Sequence, residues 1–267
     1  MNAPHSAGYG AAEVLVWIPR RGLVPGTAGD DPLLAADSWL VESGAARALS
    51  RHERRFEIAC RQTGCEAASD LRAFWTDAIR VLPRHGRWFP RVELTAAARP
   101  QLRLRIRPAP ARASTVRVWA ATGPDQRRQP RRKGPDLPWL NSVRTRAVGS
   151  GADEALLTTP GGLLLEATQS SVLWWEDDIL CFPSRTLRLL PGVTASLIRQ
   201  HACRSGLGVK PHRRHLAELS GREAWLVNAL HGIRPVREWT GTGVRAGEPD
   251  RIRSWQPWWE RLLEPLP

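Results

Sequence analysis

Residues 151–168 decide the fold of this chain, and they read Gly-Ala-Asp-Glu-Ala-Leu-Leu-Thr-Thr-Pro-Gly-Gly-Leu-Leu-Leu-Glu-Ala-Thr. Within them, Ala155–Leu157 and Leu163–Thr168 are short apolar runs that are typical of buried strands. Pro160-Gly161-Gly162 separates the two runs and is a turn signal, because proline and glycine favour turn geometry. The stretch therefore predicts two strands joined by a tight turn.

Strands and helices alternate along the rest of the chain. A capping box of Ser50 and Glu53 is expected to open the first helix. The predicted helices are Arg51–Arg61, Ser69–Val81, Thr194–Arg204 and Arg251–Leu263. The second helix has an apolar stripe at helical spacing, formed by Leu71, Phe74, Trp75, Ala78 and Ile79. The further predicted strands are Glu13–Ile18, Leu34–Val41, Ala45–Leu49, Arg91–Leu94, Leu102–Arg107, Thr115–Ala121, Val172–Trp175, Ile179–Phe182 and Ala224–Asn228.

A proline-rich segment divides the chain into two parts. Residues 108–114, Pro-Ala-Pro-Ala-Arg-Ala-Ser, cannot form a central strand and favour extended backbone, so they are predicted to be a linker. The sequence predicts a flexible N-terminus at 1–12, a small α+β domain at 13–107 and a larger domain at 115–267. With 267 residues, the chain is long enough to build two such domains.

Charge is the unusual feature of the composition. The formal net charge is +13, yet among 39 basic residues only Lys133 and Lys210 are lysines. This excess of positive charge keeps open a remote alternative, a nucleic-acid-binding protein that uses tryptophan for base stacking. Most tryptophans fall inside apolar patterns that predict core packing instead. The arginines on which this alternative rests are Arg127, Arg128, Arg131 and Arg132.

The sequence predicts a soluble, cytoplasmic protein without a metal site. Its apolar runs end before the ~18 residues that a membrane-spanning helix needs. Met1–Gly10 lacks the basic region and apolar core of a signal peptide. His212 and His215 lie three residues apart without a second pair of ligands, which favours a surface turn over a metal site.

Several separated motifs occur in a fixed order along the chain. They are His52-Glu53-Arg54-Arg55-Phe56, Lys133 ahead of Gly151-Ala152-Asp153-Glu154-Ala155-Leu156, Glu166-Ala167-Thr168-Gln169-Ser170-Ser171, Leu190-Pro191-Gly192-Val193-Thr194, Asn228-Ala229-Leu230 and Pro235-Val236. Over about residues 35–240, this order and spacing resemble the class IV pyridoxal-phosphate-dependent aminotransferase family. That family includes D-amino-acid and branched-chain aminotransferases and aminodeoxychorismate lyase.

The resemblance implies a fold, a cofactor and an assembly. The fold is a two-domain α/β (α+β) protein, in which the larger domain is built around a β-barrel-like sheet and pyridoxal 5′-phosphate lies between the domains. Relatives are homodimers. Lys133 would carry the cofactor as an internal aldimine, a Schiff base, and would then move a proton between the substrate carbon and the cofactor. Arg131 and Arg132 favour the neutral amine that a nucleophile needs, while a solvated lysine of a basic loop is the alternative.

The resemblance also assigns the other cofactor ligands. Glu166 would face the pyridine nitrogen and keep it protonated, so that the ring accepts electrons. Thr194, at the start of a helix, would bind the phosphate through its N–H and hydroxyl groups. The alternatives are a simple N-cap for Thr194 and solvated side chains for Glu166 and Arg55. The predicted cofactor-binding residues are Arg55, Lys133, Glu166, Leu190, Val193, Thr194, Asn228 and Ala229.

An arginine is predicted to bind the substrate. Leu102–Arg107 alternates, so its three arginines share one face of a strand. Arg107 lies where relatives often carry an arginine that can meet a substrate carboxylate, and a charged solvent face is the alternative.

The implied activity is that of an enzyme with an amino-acid-like substrate. The Gly-Ala-Asp-Glu-Ala and Asn-Ala-Leu segments look more like aminodeoxychorismate lyase, which forms p-aminobenzoate and pyruvate. An amino-acid transaminase of the D-amino-acid or branched-chain type is the alternative. The chain departs from the family at residues 35–40, Ala-Ala-Asp-Ser-Trp-Leu, and at Ser171, and it has no tyrosine besides Tyr9.

Overall fold

The computed structural model describes residues 12–27, 29–65, 69–120 and 123–267. The chain forms two compact units. Unit 1 comprises Met1–Ala111 and Glu264–Pro267, and unit 2 comprises Arg112–Leu263. The sequence prediction assigned residues 264–267 to the larger domain, whereas the structure places them in unit 1. Apart from Ala12, the predicted flexible N-terminus lies outside the described residues.

The elements are named in chain order. The strands are β1 (Glu13–Ile18), β2 (Gly22–Pro25), β3 (Leu33–Ser38), β4 (Val41–Glu42), β5 (Ala45–Arg47), β6 (Arg87–Trp88), β7 (Arg91–Thr95), β8 (Gln101–Ile106), β9 (Val116–Ala120), β10 (Glu154–Thr158), β11 (Leu164–Ala167), β12 (Ser171–Glu176), β13 (Ile179–Pro183), β14 (Gly208–His212), β15 (Ala224–Asn228), β16 (Gly232–Thr240) and β17 (Leu263–Pro265). The helices are α1 (Leu49–Arg61), α2 (Leu71–Arg80), α3 (Leu137–Gly149), α4 (Val193–Arg204) and α5 (Ile252–Glu260).

Unit 1 contains an antiparallel sheet in the order β2-β1-β8-β7-β3 and a smaller sheet in the order β17-β5-β4-β6. One apolar core joins the larger sheet to α1 and α2. The predicted stripe on α2 is buried in that core, which confirms it. Helical spacing places these side chains on one face, where Phe74 and Trp75 lie beside the Phe56 ring of α1.

Unit 2 is built on an eight-stranded sheet in the order β11-β10-β9-β16-β15-β12-β13-β14, which curls into a half-barrel. Successive side chains of β12 point to opposite faces. Trp174 therefore packs in one apolar cluster, while Leu173 and Trp175 pack in another with α4 and α5. A third cluster lies under α3. The predicted mixed α+β fold with a barrel-like sheet is confirmed.

Several local predictions were wrong, each for a physical reason. α1 begins at Leu49 because the chain enters it through Ala48, which has a left-handed backbone with φ of 51°. Ser50 therefore lies inside the first turn, and no described side chain caps this helix. α3 was missed because it has no apolar stripe, since only Val143 and Ala147 of its side chains are buried. In the described part of the chain, no helix is long and apolar enough to cross a bilayer.

Candidate active site

Lys133 lies half-buried in the loop that leads into α3 of unit 2. The carboxylate of Asp136 closes this loop, because it accepts hydrogen bonds from the backbone N–H groups of Arg128 (2.9 Å) and Gln129 (2.8 Å). Asp136 is itself buried at the N-terminus of α3. The loop is therefore fixed on both sides of the lysine by one buried carboxylate.

Glu166 projects from β11 and is only 5% exposed. Its Oε1 atom accepts hydrogen bonds from Arg127 Nη1 (2.5 Å) and from the backbone N–H of Leu190 (2.9 Å). Its Oε2 atom accepts no hydrogen bond from any described residue. Burial raises the pKa of Glu166, and the charge and hydrogen bond of Arg127 only partly oppose that shift. Glu166 is thus a buried carboxylate with one oxygen left for another donor, and the alternative of a solvated side chain is wrong.

The N-terminus of α4 follows directly from the loop that contacts Glu166. Val193 and Thr194 begin the helix and are buried, and no described side chain caps it. The first N–H groups of a helix have no partner within the helix, and they carry its positive end. A Cβ atom on Gly192 would lie 2.5 Å from Ser171 Oγ, so a side chain here would force the Ser171 hydroxyl to move. This set of donors suits a phosphate group.

Asn228 and Ala229 end β15 near the same edge of the sheet. The side chain of Asn228 accepts hydrogen bonds from the N–H groups of Leu230 and His231, and it donates to Ser170 Oγ (3.0 Å). Asn228 therefore shapes its own turn. Ser170 in turn donates to Glu154, which forms an ion pair with the buried guanidinium of Arg234.

The structure brings together several of the unit 2 segments that were predicted to bind the cofactor, and the loop of Lys133 reaches them through Arg127, which binds Glu166. Leu190 is bonded to Glu166, Gly192 contacts Ser171, and Ser170 contacts Asn228. The donor chemistry fits pyridoxal phosphate: helix N–H groups suit its phosphate, and the open oxygen of Glu166 suits the N–H of a protonated pyridine.

Arg55 lies on α1 in unit 1 and is held by Asp37 of β3. Arg55 donates from Nε to Asp37 Oδ2 (2.7 Å) and from Nη2 to Oδ1 (2.8 Å). His52 Nδ1 lies 2.9 Å from the same Oδ1, which also accepts the N–H of Ser38 (2.7 Å). Burial alone would raise the pKa of Asp37, but Arg55 and His52 hold it far below its ordinary value. Arg55 is thus fixed by a buried carboxylate, and its solvated alternative is wrong.

Arg107 follows β8 in a cluster of arginines in unit 1. Its Nε donates to the carbonyl of Phe89 (3.1 Å), and its guanidinium lies 5.4 Å from the centre of the Phe89 ring. Burial lowers the pKa of Arg107 to about 10, and the charge of Arg91 adds to that shift. Within the same strand, Arg103 pairs with Asp31 and Arg105 pairs with Glu93. The strand is therefore not a plain solvent-exposed charged face.

Sequence reasoning missed three residues that organise these sites. Arg127 appeared only as one of four arginines in a basic loop, although it is buried between Asp125 and Glu166. Asp37 appeared only within a segment that departs from the family. Asp136 gave no signal beyond its place before α3. The burial of Arg127 also removes it from the surface that the nucleic-acid alternative requires.

One further group of possible metal ligands occurs in the described residues. Glu176, Cys181 and His212 bring their ligand atoms within 4.8 Å of one another. However, both oxygens of Glu176 accept hydrogen bonds from Arg214 at 3.0 Å, and burial raises the pKa of the Cys181 thiol to about 11. These side chains are explained by the ion pair and by packing.

Comparison with known proteins identifies the family. The model of the amino-transferase class IV family matches residues 34–239. The chain therefore belongs to the class IV aminotransferases, enzymes that use pyridoxal phosphate as transaminases or lyases. No curated protein matches the sequence significantly.

Solved structures share the fold. A hypothetical aminotransferase from Mycobacterium tuberculosis is 18% identical, with a TM-score of 0.79 over 94% of this chain and 98% of that one. A putative 4-amino-4-deoxychorismate lyase from Legionella pneumophila is 18% identical, with a TM-score of 0.75 over 90% and 96%. The branched-chain amino acid aminotransferase of Escherichia coli is 14% identical, with a TM-score of 0.78 over 94% of each chain. At these identities, the likeness shows the fold alone.

Proposed function

We propose that this chain binds pyridoxal phosphate through Lys133 and acts as an aminodeoxychorismate lyase. The observation that carries the use of the cofactor is Glu166, a buried carboxylate whose Oε2 atom has no partner among the described residues. The lyase assignment is supported by the Gly-Ala-Asp-Glu-Ala and Asn-Ala-Leu segments. A homodimer in the cytoplasm remains part of this proposal.

Pyridoxal phosphate, when bound, supplies an electron sink that stabilises negative charge at the substrate α-carbon. Glu166 Oε2 would accept the N–H of a protonated pyridine, while Arg127 holds Oε1 and so fixes the orientation of the carboxylate. The low-polarity surroundings of Glu166 strengthen this hydrogen bond. Glu166 would thus favour the protonated state of the ring, which withdraws electrons.

Lys133 would provide the amine that holds the cofactor, and once a substrate amine has replaced it there, its freed Nζ atom would carry the proton of the substrate α-carbon. Asp136 keeps the loop of Lys133 in place. The N–H groups of Val193 and Thr194 would bind the phosphate at the positive end of α4. The turn of Asn228 and Ala229 supplies further backbone donors.

Two arginines of unit 1 keep their predicted roles in this proposal. Arg55, held by Asp37, is a phosphate ligand, because a guanidinium forms charge-assisted hydrogen bonds with phosphate oxygens. Arg107 binds a substrate carboxylate. Arg91, Arg105 and Arg107 form a positive cluster, in which Arg91 and Arg105 share the buried carboxylate of Glu93. The excess of positive charge in this cluster supports an anionic substrate.

The first test follows the cofactor, and the chain offers a matched control. The wild type with added pyridoxal phosphate is expected to show a visible absorption band. Borohydride should then attach the cofactor irreversibly to the protein. Lys133→Ala should lose both the band and the irreversible attachment. Lys210→Ala removes the only other lysine of the sequence, which is exposed, and should keep both. Irreversible attachment of the cofactor in Lys133→Ala, or its absence from the wild type, would contradict the role of Lys133.

A second measurement distinguishes the two reactions. A lyase forms p-aminobenzoate and pyruvate in equal amounts from aminodeoxychorismate, without an added keto acid. A transaminase consumes a keto acid and produces a new amino acid. Turnover that depends on an added keto acid would replace the lyase proposal by the transaminase alternative.

A further inference from the structure

Unit 2 contains a cavity of about 340 Å³ beside α4, which we call the α4 cavity. This volume lies within the range of about 300–1,000 Å³ that is typical of small-molecule sites. Lys133, Thr194 and Asn228 are not among the described residues that line it. The cavity borders the proposed cofactor residues only through Glu166 and the segment before α4. Its walls are largely apolar and include Leu165, Leu173, Phe182, Leu187 and Leu189.

Three arginines line the α4 cavity: Arg131, Arg185 and Arg199. Within the described part of the chain, no carboxylate oxygen lies within 4.0 Å of their guanidinium nitrogens. Glu166 is the one carboxylate among the described lining residues, and its Oε1 atom is bound to Arg127. The three guanidinium groups therefore outnumber the single carboxylate of the described lining, and the cavity has an excess of positive charge.

Arg199 is the most constrained of the three. It lies on α4, half-buried, with its guanidinium 4.4 Å from the centre of the Phe182 ring. Burial lowers the pKa of Arg199, and the positive charge of Arg185 adds to that shift. A partly buried cation beside a like charge is costly, and an anion that approaches both guanidinium groups offsets that cost.

We propose that the α4 cavity binds a small aromatic carboxylate, with its carboxylate on Arg199 and Arg185 and its ring against the apolar wall. A guanidinium meets a carboxylate through two parallel hydrogen bonds, which gives the anion a fixed orientation. The ring packs against Leu173 and Phe182 and loses apolar surface to solvent. Its carboxylate end, at Arg185 and Arg199, lies outside the residues proposed to bind the cofactor, and the inference does not depend on the proposed function.

Calorimetric titration with benzoate tests the proposal, with benzamide as the neutral probe of the same shape and acetate as the anion without a ring. Benzoate is expected to bind at one site per chain. Benzamide and acetate should each bind at least about tenfold more weakly, because each lacks one of the two interactions. Benzamide or acetate that binds as tightly as benzoate would overturn the proposal, and so would benzoate that does not bind.

Variants locate the site. Arg199→Gln and Arg185→Gln should each weaken benzoate about tenfold or more, since each removes a charged hydrogen-bond donor. Arg204→Gln is the matched control, because Arg204 lies exposed in the last turn of the same helix. Arg185 is exposed in a loop, so its substitution leaves the core intact. Equal benzoate affinity in all three variants would place the ligand elsewhere.

Cofactor loading separates this site from the proposed active site. Benzoate is expected to bind the chain with similar affinity before and after pyridoxal phosphate is added. The absorption spectrum of the loaded Arg199→Gln protein should match that of the wild type. If pyridoxal phosphate displaces benzoate, the two ligands share one site and the α4 cavity is not an independent one. A failure of the lysine test, in contrast, leaves benzoate binding unchanged.

Discussion

Asp37 in unit 1 and Glu166 in unit 2 are both buried carboxylates beside an arginine, yet their pKa values shift in opposite directions. The pKa of Asp37 is far below its ordinary value, whereas that of Glu166 is raised. Burial penalises both charges. The difference lies in the donors. Both oxygens of Asp37 accept hydrogen bonds from Arg55, and Oδ1 accepts two more contacts, from Ser38 and His52.

Glu166 uses only one of its oxygens in the described structure. Two donors meet Oε1, whereas no described group donates to Oε2, and Glu166 borders the α4 cavity. A carboxylate with every acceptor site filled stabilises the fold around it, while a carboxylate with an open oxygen is prepared for a ligand. The comparison therefore assigns Asp37 to holding Arg55 in place and Glu166 to direct contact with the cofactor.

The largest effect is expected for Asp37→Asn. Because Arg55 donates to both oxygens, either orientation of the new amide turns its NH₂ group toward a guanidinium N–H. The buried ion pair is then replaced by two N–H donors that face each other, one from the amide and one from the guanidinium. We expect the free energy of unfolding to fall by about 3–5 kcal/mol, measured by urea denaturation.

Asp30→Asn is the matched control for this substitution. Asp30 is exposed in the same unit, so its change should be within about 0.5 kcal/mol. An equal, small change in both variants would show that the Asp37 cluster does not stabilise unit 1, and the contrast with Glu166 would lose its basis.

Glu166→Gln should cost less, about 1 kcal/mol. Its amide can keep the oxygen at the Oε1 position, where Arg127 and the Leu190 N–H both donate, and place the NH₂ group at the open position. Arg127 also keeps its ion pair with Asp125. Pyridoxal phosphate should stabilise the wild type against thermal unfolding more than it stabilises this variant. A loss as large as that of Asp37→Asn would mean that Glu166 is structural.

The fold was predictable in outline because its strands carry strong local patterns. Ala224–Asn228 is observed with the predicted bounds, and the apolar alternation of β12 places its side chains on two faces. α3 lacks such a pattern, since its buried side chains are few. β14 and β16 were missed as strands, and β16 includes Pro235 and three charged residues.

The site was predictable only where short motifs carry it. Glu166, Gly192 and Asn228 stand in such motifs, and the structure brings their segments together. Arg127 could not be distinguished from its basic neighbours, because its burial depends on Glu166, 39 residues further along the chain. Asp37 likewise acquires its meaning only when β3 packs against α1 and meets Arg55.

The smallest expected effect is a difference in slope with pH, which sharpens the comparison most. The lowered pKa of Asp37 contributes stability that is fully present above its ordinary value near 4 and is lost at lower pH. The cost of Asp37→Asn should therefore shrink as the pH falls below about 4.

The raised pKa of Glu166 acts in the opposite sense: the wild type loses stability as the pH rises from about 4.3 through the raised value, and Glu166→Gln does not. Urea unfolding of both variants between about pH 3 and pH 7 measures the two slopes, and slopes of the same sign would show that the two carboxylates do not differ in the way their donors indicate.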